Sequence, residues 1–387
     1  MLVVCTSTGA AAQQAAAPVS RSHPPHSGGS VVEDSSKELQ KQIPRFARDD
    51  SGRVHFYHSL PYGTESQFNP LTEILNEGFD QLRVDNANRK LSTLPWGGHN
   101  VVEALLHPDS AMRAYGVWRA WRDELLPLSV KGGGGGQWVP NYEFHLIGSG
   151  MVSERMREWY EAHGVPLPFA MSFLTMMSAH FINEALEDGG VPVRYHPFDP
   201  VADLYVFDLG GILLFRSQHV QNFFSRTVEL TNWPLQPTLA FPGTTLENAG
   251  QEFLLRWRLP RTDRYRGFFA FGISTLGGVS IGEKGGLAWS IAAGADAVDN
   301  PIIDQSSGRK TVVLKPNAGF FVDRDGSLLF SLTARDSKET FAVANLYPGV
   351  LRVGGQSFGL WTQALRNGRW RVGLVSKYGV GIGSSAR

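Results

Sequence analysis

The chain has 387 residues, of which 42% are hydrophobic and 19% are charged. That balance is ordinary for a folded protein and excludes a chain that is disordered throughout. Lysine plus arginine equals aspartate plus glutamate at 36 each, so no net charge attracts nucleic acid, and we expect no nucleic-acid partner. The single cysteine, Cys5, excludes an internal disulfide and a cysteine metal cluster.

Residues 1–45 are predicted to be a disordered leader or the remnant of a secretion signal peptide. Met1 to Val4 is apolar, and Ala10 to Ala12 supply small residues of the kind found at a signal-peptidase site. A basic start and a longer apolar core are both absent, so a cytosolic leader is the alternative. No run reaches about 18 uninterrupted apolar residues, and we therefore expect no membrane-spanning helix.

The next two regions differ in their apolar period. Residues 46–99 are rich in turn formers such as Leu60-Pro61-Tyr62-Gly63, which predicts an irregular connecting segment. Residues 100–230 show a period of about 3.6, which predicts a helical domain with a break at Pro108. Within that domain the later predicted helices cover Tyr142 to Ala162, Phe169 to Leu186 and Val201 to Phe224.

Three local patterns refine the helical domain. The helix predicted from Phe169 is apolar almost all round in its first part, which is typical of a buried helix. Gly210 and Gly211 either let another backbone approach closely or end a short helix. The glycine run Gly132 to Gly136 lacks the lysine and the serine or threonine of a phosphate-binding loop, and we interpret it as a flexible hinge.

Ionisable side chains on otherwise apolar helices form the candidate site. The candidates for acid/base or metal-binding roles are His145, His180, Glu184, Asp203 and Asp208. Buried carboxylates destabilise a protein unless they are paired or bind a metal. His180 and Glu184 are four residues apart and share a helix face, so they can present two ligands to a metal or an acid/base pair to a substrate. The HExxH zinc signature is absent, and no particular metal or cofactor is indicated.

A structural interpretation of the same residues is simpler. Polar groups of this kind also cross-link buried helices through hydrogen bonds and contacts at helix ends. Asp199, which precedes Pro200, is predicted to be a helix N-cap.

Residues 233–383 alternate apolar and polar positions in short runs separated by turns. This pattern predicts an antiparallel β-barrel of about eight to ten strands, and hence an α+β fold for the whole chain. Asp323 to Gly326 and Arg366 to Gly368 carry the residues of tight hairpin turns.

The two faces of the predicted strands differ in polarity. Trp370, Val372 and Leu374 share one face of the last run, whereas Arg371 and Gly373 share the other. In an outer-membrane barrel the apolar face contacts lipid, and the face with small and charged residues lines the interior. The charges predicted to face inwards are too many for a dry soluble core. They are Arg256, Arg258, Arg335, Arg371 and Lys377. The chain lacks the terminal aromatic residue common in such barrels, and a soluble lipocalin-like barrel is the alternative.

The helical residues also follow a characteristic order, in which a histidine and a glutamate precede an aspartate-rich segment and a glycine pair. The residues in this order are Asn141 to His145, Gly148, Arg155, Asn183, Glu184, Glu187, Asp199 to Asp203, Asp208, Gly210 and Gly211. The order resembles that of uncharacterised bacterial outer-membrane proteins in which a helical half precedes a β-barrel. VanZ-like helical proteins show a similar order of Glu, Asp and Gly, although this chain lacks their several membrane-spanning helices. The resemblance spans Trp138 to the C-terminus and implies an envelope location without an assigned chemistry.

Two classes of function follow. The first is a bacterial envelope protein whose outer-membrane barrel contacts membrane lipid and anchors a helical domain with a structural, binding or transport role; a periplasmic location is the alternative. The second is a barrel-anchored hydrolase or transferase that acts on lipid or cell-wall material through the histidine and carboxylate residues. A soluble barrel that binds a lipid or a small molecule is a third. The enzyme hypothesis fails if both histidines lie more than about 8 Å from every candidate carboxylate.

Overall fold

The computed structural model describes residues 54–84, 91–126, 138–190, 198–242, 245–262, 264–282, 286–303 and 310–384. The predicted leader, including Cys5, and the glycine run Gly132 to Gly136 lie outside these ranges. Within them, a helical first part precedes a mostly antiparallel sheet, so the α+β class is confirmed. The described residues of both parts belong to one compact unit.

The helices occupy the first part of the chain. They are α1 Pro70–Gly78, α2 Leu94–Leu106, α3 Pro108–Tyr115, α4 Val117–Arg119, α5 Gly150–Ala162, α6 Pro168–Glu187, α7 Asp199–Val201, α8 Leu209–Leu214 and α9 Gln218–Asn222. Wider π-helical turns extend several of them, namely Ala120–Leu125 after α4, Trp138–Ser149 before α5, Ala202–Asp208 between α7 and α8, and Phe223–Thr227 after α9. Short 3-10 turns cover Gly63–Gln67, Asp80–Arg83, Leu91–Thr93 and Asp188–Gly190.

Helix α1 lies in the segment that was expected to be irregular. The Oδ1 atom of Asn69 accepts hydrogen bonds from the backbone N–H groups of Leu71 and Thr72 at 3.0 and 3.1 Å, and the Thr72 hydroxyl accepts from the Asn69 N–H at 3.1 Å. This capping box, with Pro70 in the first turn, starts the helix. The prediction is therefore wrong at α1, because capping chemistry rather than apolar periodicity defines this helix. The predicted break at Pro108 is confirmed, since α3 begins there.

Helix α6 buries its polar face. Ser172, His180 and Glu184 are buried, whereas Phe169 and Leu174 are exposed, Leu174 by 57%. The prediction that the apolar start of this helix is buried holds for Met176, which belongs to a core cluster, and is wrong for Phe169 and Leu174. The inward face is shared with the side chains that hydrogen-bond to α1 and α5. Within the described residues, no helix combines the length and the apolar character needed to cross a membrane.

The second part of the chain forms the sheet. Its strands are β1 Thr231–Pro234, β2 Thr238–Phe241, β3 Thr245–Glu247, β4 Gln251–Arg258, β5 Tyr265–Gly272, β6 Ser274–Gly282, β7 Leu287–Ile303, β8 Lys310–Arg324, β9 Ser327–Arg335, β10 Thr340–Val353, β11 Gln356–Leu365, β12 Trp370–Ser376 and β13 Gly381–Ser384. Strands β4 to β13 pair successively and antiparallel, β1 pairs with β4, and β13 pairs with β2 in parallel. The hairpin predicted at Asp323 to Gly326 joins β8 to β9, with Asp325 and Gly326 at φ 55° and 82°.

The strand count and the closure of the sheet differ from the prediction. The described residues contain thirteen strands rather than about eight to ten. The extra strands arise because β1, β3 and β13 are too short to show alternation, and because Gly272, at φ 153°, turns β5 directly into β6 without a recognisable turn sequence. Among the described strands, the edge strands β1 and β3 do not pair with each other, so the predicted barrel is not confirmed.

The face of the sheet opposite its exposed apolar residues lines a cavity of about 170 Å³. Side chains from β3 to β6 and β8 to β12 contribute to its wall. Arg335 and Arg371, as predicted, belong to this wall, and Arg256 is buried on the same face, where it binds Asp323 at 3.0 Å. Arg258 and Lys377, also predicted to face inwards, are exposed at the end of β4 and in the turn after β12.

Residues 62–83 connect the helices to the sheet. The Ser327 hydroxyl donates to the backbone oxygen of Tyr62 at 2.8 Å, and Arg83 pairs with Glu252 at 2.5 Å. The side chain of Asn76, in α1, accepts from the N–H of Gly250 at 3.0 Å. These bonds fix α1 between the sheet and the rest of the helical part.

Candidate functional site

The structure brings the predicted site residues together in the helical part. His145 comes from the π-helical stretch before α5, and His180 and Glu184 come from α6. Asp203 and Asp208 come from the π-helical stretch between α7 and α8. All of these side chains are buried.

A close backbone contact positions these elements. A Cβ atom on Gly211 would lie 2.5 Å from the backbone oxygen of Leu146 and 3.2 Å from the Cα of Gly150. Only glycine permits such an approach, so the predicted backbone contact at the glycine pair is confirmed at Gly211. The contact places Asp208, one turn before Gly211, against His145, one residue before Leu146.

Asp208 joins the two histidines. Its Oδ1 atom lies 2.9 Å from Nδ1 of His145, and its Oδ2 atom forms an ion pair with Nδ1 of His180. The two imidazole rings are 5.5 Å apart and nearly perpendicular, at 85°. Burial alone would raise the pKa of Asp208, but the charges of His180 and His145 outweigh burial and lower it. An ionised carboxylate only accepts hydrogen bonds, so both Nδ1 atoms carry protons.

His180 is held between two carboxylates. Its Nε2 atom lies 2.7 Å from Oε1 of Glu77, which also accepts a hydrogen bond from the Ser149 hydroxyl at 2.6 Å. Burial works to lower the pKa of His180, but Asp208 and Glu77 together raise it well above its usual value. His180 is therefore an imidazolium that donates from both nitrogens. The side-chain amide of Asn183 adds a bond of 2.7 Å to the Glu77 backbone oxygen, which fixes α1 to α6.

The other side of His145 has a different character. Its Nε2 atom lies 3.6 Å from Oδ2 of Asp203, and one ligand atom each from His145, Glu184 and Asp203 lies within 4.8 Å of the others. Oε2 of Glu184 and Oδ1 of Asp203 are buried without a hydrogen-bond partner. Burial and then the nearby charge of Asp199 raise the pKa of Glu184, and burial and then Glu184 raise the pKa of Asp203. In this half of the cluster, formed by His145, Glu184 and Asp203, carboxylate oxygens lie close together without hydrogen-bond donors.

Two further residues extend the acidic half. Tyr115 donates its hydroxyl to Oε1 of Glu124 at 2.5 Å, and burial followed by the charge of Asp199 raises the pKa of Glu124 to about 8. Asp199 begins α7, while Phe198 is its N-cap and no side chain caps the helix. The predicted N-cap role of Asp199 is therefore wrong, and its carboxylate instead acts on Glu184 and Glu124.

Sequence reasoning missed Glu77 and Glu124. Glu77 lies in the segment expected to be irregular, and the capping box at Asn69 is the signal that could have revealed its helix. Glu124 follows Asp123 in a stretch that also contains Arg119 and Arg122, so it has the appearance of an ordinary surface charge.

The two halves of the cluster support different interpretations. His180, Glu77 and Ser149 form the hydrogen-bonded cross-link that the structural interpretation expects. His145, Glu184 and Asp203 form no such cross-link with one another: Oε2 of Glu184 and Oδ1 of Asp203 lack hydrogen-bond donors, as does Oε2 of Glu77 in the other half. His145 lies 2.9 Å from Asp208, so the separation that would have excluded the enzyme hypothesis is not observed.

Comparisons with protein-family models, with curated proteins and with solved structures gave no match to this chain.

Proposed function

We propose that this protein is a bacterial envelope protein whose sheet lies in the outer membrane, closes into a barrel there and anchors the helical part for a structural, binding or transport role. The observation that carries the proposal is the apolar outer face of the sheet.

The strand register aligns apolar side chains on this face into two rows. The first row, strand by strand, is Trp257, Val279, Ile291, Phe320 and Leu332, with Gly267 between Trp257 and Val279 beneath the Trp257 indole. The second row is Leu346, Leu360, Leu374, Ile382 and Leu239. Ile291 is 65% exposed and Ile382 is 70% exposed. Soluble monomers rarely expose a continuous apolar surface of this extent, whereas outer-membrane strands present one to lipid.

The opposite face supports the same proposal. Arg256 is buried and bound to Asp323 at 3.0 Å, and Arg335 pairs with Asp296 at 2.5 Å. The inner face also holds a buried apolar cluster that includes Trp233, Phe268 and Phe321, so the charges lie beside a packed core. Paired charges within the sheet and exposed apolar side chains on its outer face support a membrane barrel.

The helical part, around its apolar core, also exposes apolar side chains in elements that bury carboxylates. In the stretch between α7 and α8, Asp203 and Asp208 are buried while Tyr205 and Val206 are exposed. Helix α6 shows the same arrangement with Leu174 outside and Glu184 inside. These apolar surfaces support contact between the helical part and membrane lipid.

Membrane fractionation combined with heat-dependent gel mobility tests the proposal. We expect the full-length protein in the outer-membrane fraction, with an unheated form that migrates differently from the boiled form because the sheet resists detergent until heated. Recovery in the soluble fraction without a mobility shift would overturn the proposal.

A second function, a membrane-anchored hydrolase or transferase acting on lipid or cell-wall material, is favoured by the convergence of His145, Glu184 and Asp203. Buried titratable groups with perturbed pKa values are enriched at catalytic sites. The test is product formation from phospholipid vesicles or peptidoglycan fragments by the purified protein and by Asp203→Asn. Products that form with the natural chain and disappear with the variant support this function, and equal turnover by the two proteins contradicts it.

A further inference from the structure

We infer that His145, Glu184 and Asp203 form a binding site for a divalent transition-metal cation such as Zn²⁺. The inference goes beyond the proposed membrane location and does not depend on it.

The spacing of the ligand atoms fits a cation. Zn²⁺ lies about 2.0–2.2 Å from nitrogen and oxygen ligands, so two ligands of a tetrahedral site are about 3.4 Å apart. Nε2 of His145 and Oδ2 of Asp203 are separated by 3.6 Å, and the Glu184 carboxylate completes a group within 4.8 Å. A direct hydrogen bond would be shorter, as the 2.9 Å contact between His145 and Asp208 illustrates.

The tautomer of His145 points to the same site. Asp208 binds Nδ1 of His145 at 2.9 Å, so Nε2 is the ring nitrogen left to ligate a cation. Nε2 lies 3.6 Å from Oδ2 of Asp203, a separation at which one cation can contact both atoms. A carboxylate that orients a histidine from behind is the arrangement commonly found around protein-bound metals.

The other histidine–carboxylate group does not compete for the cation. His180 and Asp208 are joined directly, and His180 also binds Glu77 at 2.7 Å. Both nitrogens of His180 are therefore used, and that half of the cluster positions His145 through Asp208.

The burial and the charge of Glu184 and Asp203 also favour a bound cation. Glu184 and Asp203 are 1% and 4% exposed, and each has a buried oxygen without a hydrogen-bond partner. In the described ranges, neither carboxylate pairs with a lysine or an arginine. A divalent cation would balance two carboxylates beside a neutral imidazole and would satisfy their oxygens. The imidazole favours a transition metal over Mg²⁺, which prefers oxygen ligands and bound water.

Metal content and metal-dependent stability test the inference in the full-length protein. Purification without chelators is expected to give about one equivalent of a first-row transition metal by mass spectrometry, since the three ligands form one site. After removal of metal with EDTA, added Zn²⁺ should raise the unfolding temperature, and the same concentration of Mg²⁺ should not. The inference would be overturned if the natural chain contained no bound metal and showed no Zn²⁺-dependent shift of its unfolding temperature.

Matched variants separate a metal ligand from a buried acid. Glu184→Gln and Asp203→Asn preserve side-chain shape and are expected to weaken Zn²⁺ binding by more than about 10-fold. Glu73→Gln changes another buried carboxylate, on α1 outside the three ligands, and should leave Zn²⁺ affinity unchanged. Retention of affinity in both ligand variants, or equal loss in Glu73→Gln, would contradict the site.

X-ray absorption of zinc bound to the natural chain supplies a measurement that does not rely on variants. We expect scattering from one imidazole and from oxygen ligands. A spectrum without imidazole scattering would exclude His145 as a ligand and overturn the inference.

Discussion

Gly150 and Gly211 meet so closely that a Cβ on Gly211 would lie 3.2 Å from the Cα of Gly150. The same Cβ would also lie 2.5 Å from the backbone oxygen of Leu146. Neither atom belongs to a movable side chain, so Gly211→Ala should separate the two elements that carry His145 and Asp208. We expect a loss of about 1–3 kcal/mol in the free energy of unfolding.

Gly210→Ala is the matched control for Gly211→Ala. A Cβ on Gly210 meets only the end of the Leu146 side chain, at 3.3 Å, which can move aside. Unfolding followed by tryptophan fluorescence should show a much smaller effect for Gly210→Ala. Equal losses in the two variants would indicate that the close backbone contact is not what the substitution disrupts.

His180→Ala should be the most destabilising single change in the cluster. It leaves the buried carboxylates of Asp208 and Glu77 without the imidazolium between them, which typically lowers stability by about 3–5 kcal/mol. Ser149→Ala removes one hydrogen bond to Glu77 and should lower stability by only about 1 kcal/mol. Denaturant midpoints of the two variants test this ranking, and a reversed order would contradict the role of His180 as the group that pairs with both carboxylates.

Glu124 should make the protein less stable as pH rises. Burial and Asp199 raise its pKa to about 8, above the ordinary value of 4.5 that applies to the unfolded chain. Between these values the folded state keeps a proton that the unfolded state has released, so stability falls by up to about 1.4 kcal/mol per pH unit. Glu124→Gln should flatten this dependence.

The measurement for Glu124 is the unfolding midpoint between about pH 5 and about pH 8, in a buffer containing chelator so that bound cations do not contribute. The variant Glu161→Gln, at a half-exposed ion pair with Arg157, is the control and should keep the slope of the natural chain. Identical slopes for Glu124→Gln and the natural chain would contradict the raised pKa.

Under the proposed outer-membrane location, Ile291→Arg should hinder assembly of the sheet in the membrane. Ile291 lies in the middle of the first apolar row, where an arginine facing lipid costs about 2–4 kcal/mol. Gln356→Arg places the same charge at an exposed position where β11 begins and should be tolerated. The measurement is the fraction of heat-modifiable protein in the membrane fraction, and equal yields of the two variants would contradict a lipid-facing row.

The strand faces could be predicted from the sequence because a period of two needs only local information. Trp370, Val372 and Leu374 are exposed, while Gly373 is buried and Arg371 lines the cavity, as the alternation predicted. Closure and strand number could not be predicted, because they depend on pairing between distant short strands such as β13 and β2.

The candidate site was only partly visible in the sequence. His145, His180 and Asp208 stand out as ionisable residues on apolar helices, but which oxygen meets which nitrogen depends on the contact at Gly211. The exposure of Phe169 and Leu174 in α6 was not predicted, because which apolar residues of an all-round apolar helix face outwards depends on the surroundings of the helix and not on its period. Glu77 lay in a segment without a helical pattern.

The parallel pairing of β13 with β2 bears on how the molecule is assembled. Gly381 pairs with Thr238, and the whole of β4 to β12 lies between them in the chain. The backbone donors and acceptors on one edge of β2 therefore stay unpaired with β13 until synthesis has reached that strand. An exposed edge that persists through synthesis invites pairing with other chains, and contacts between such distant segments form slowly. Misassembly of this topology should therefore increase with protein concentration, because the free edge of β2 can pair with a neighbouring chain before β13 reaches it.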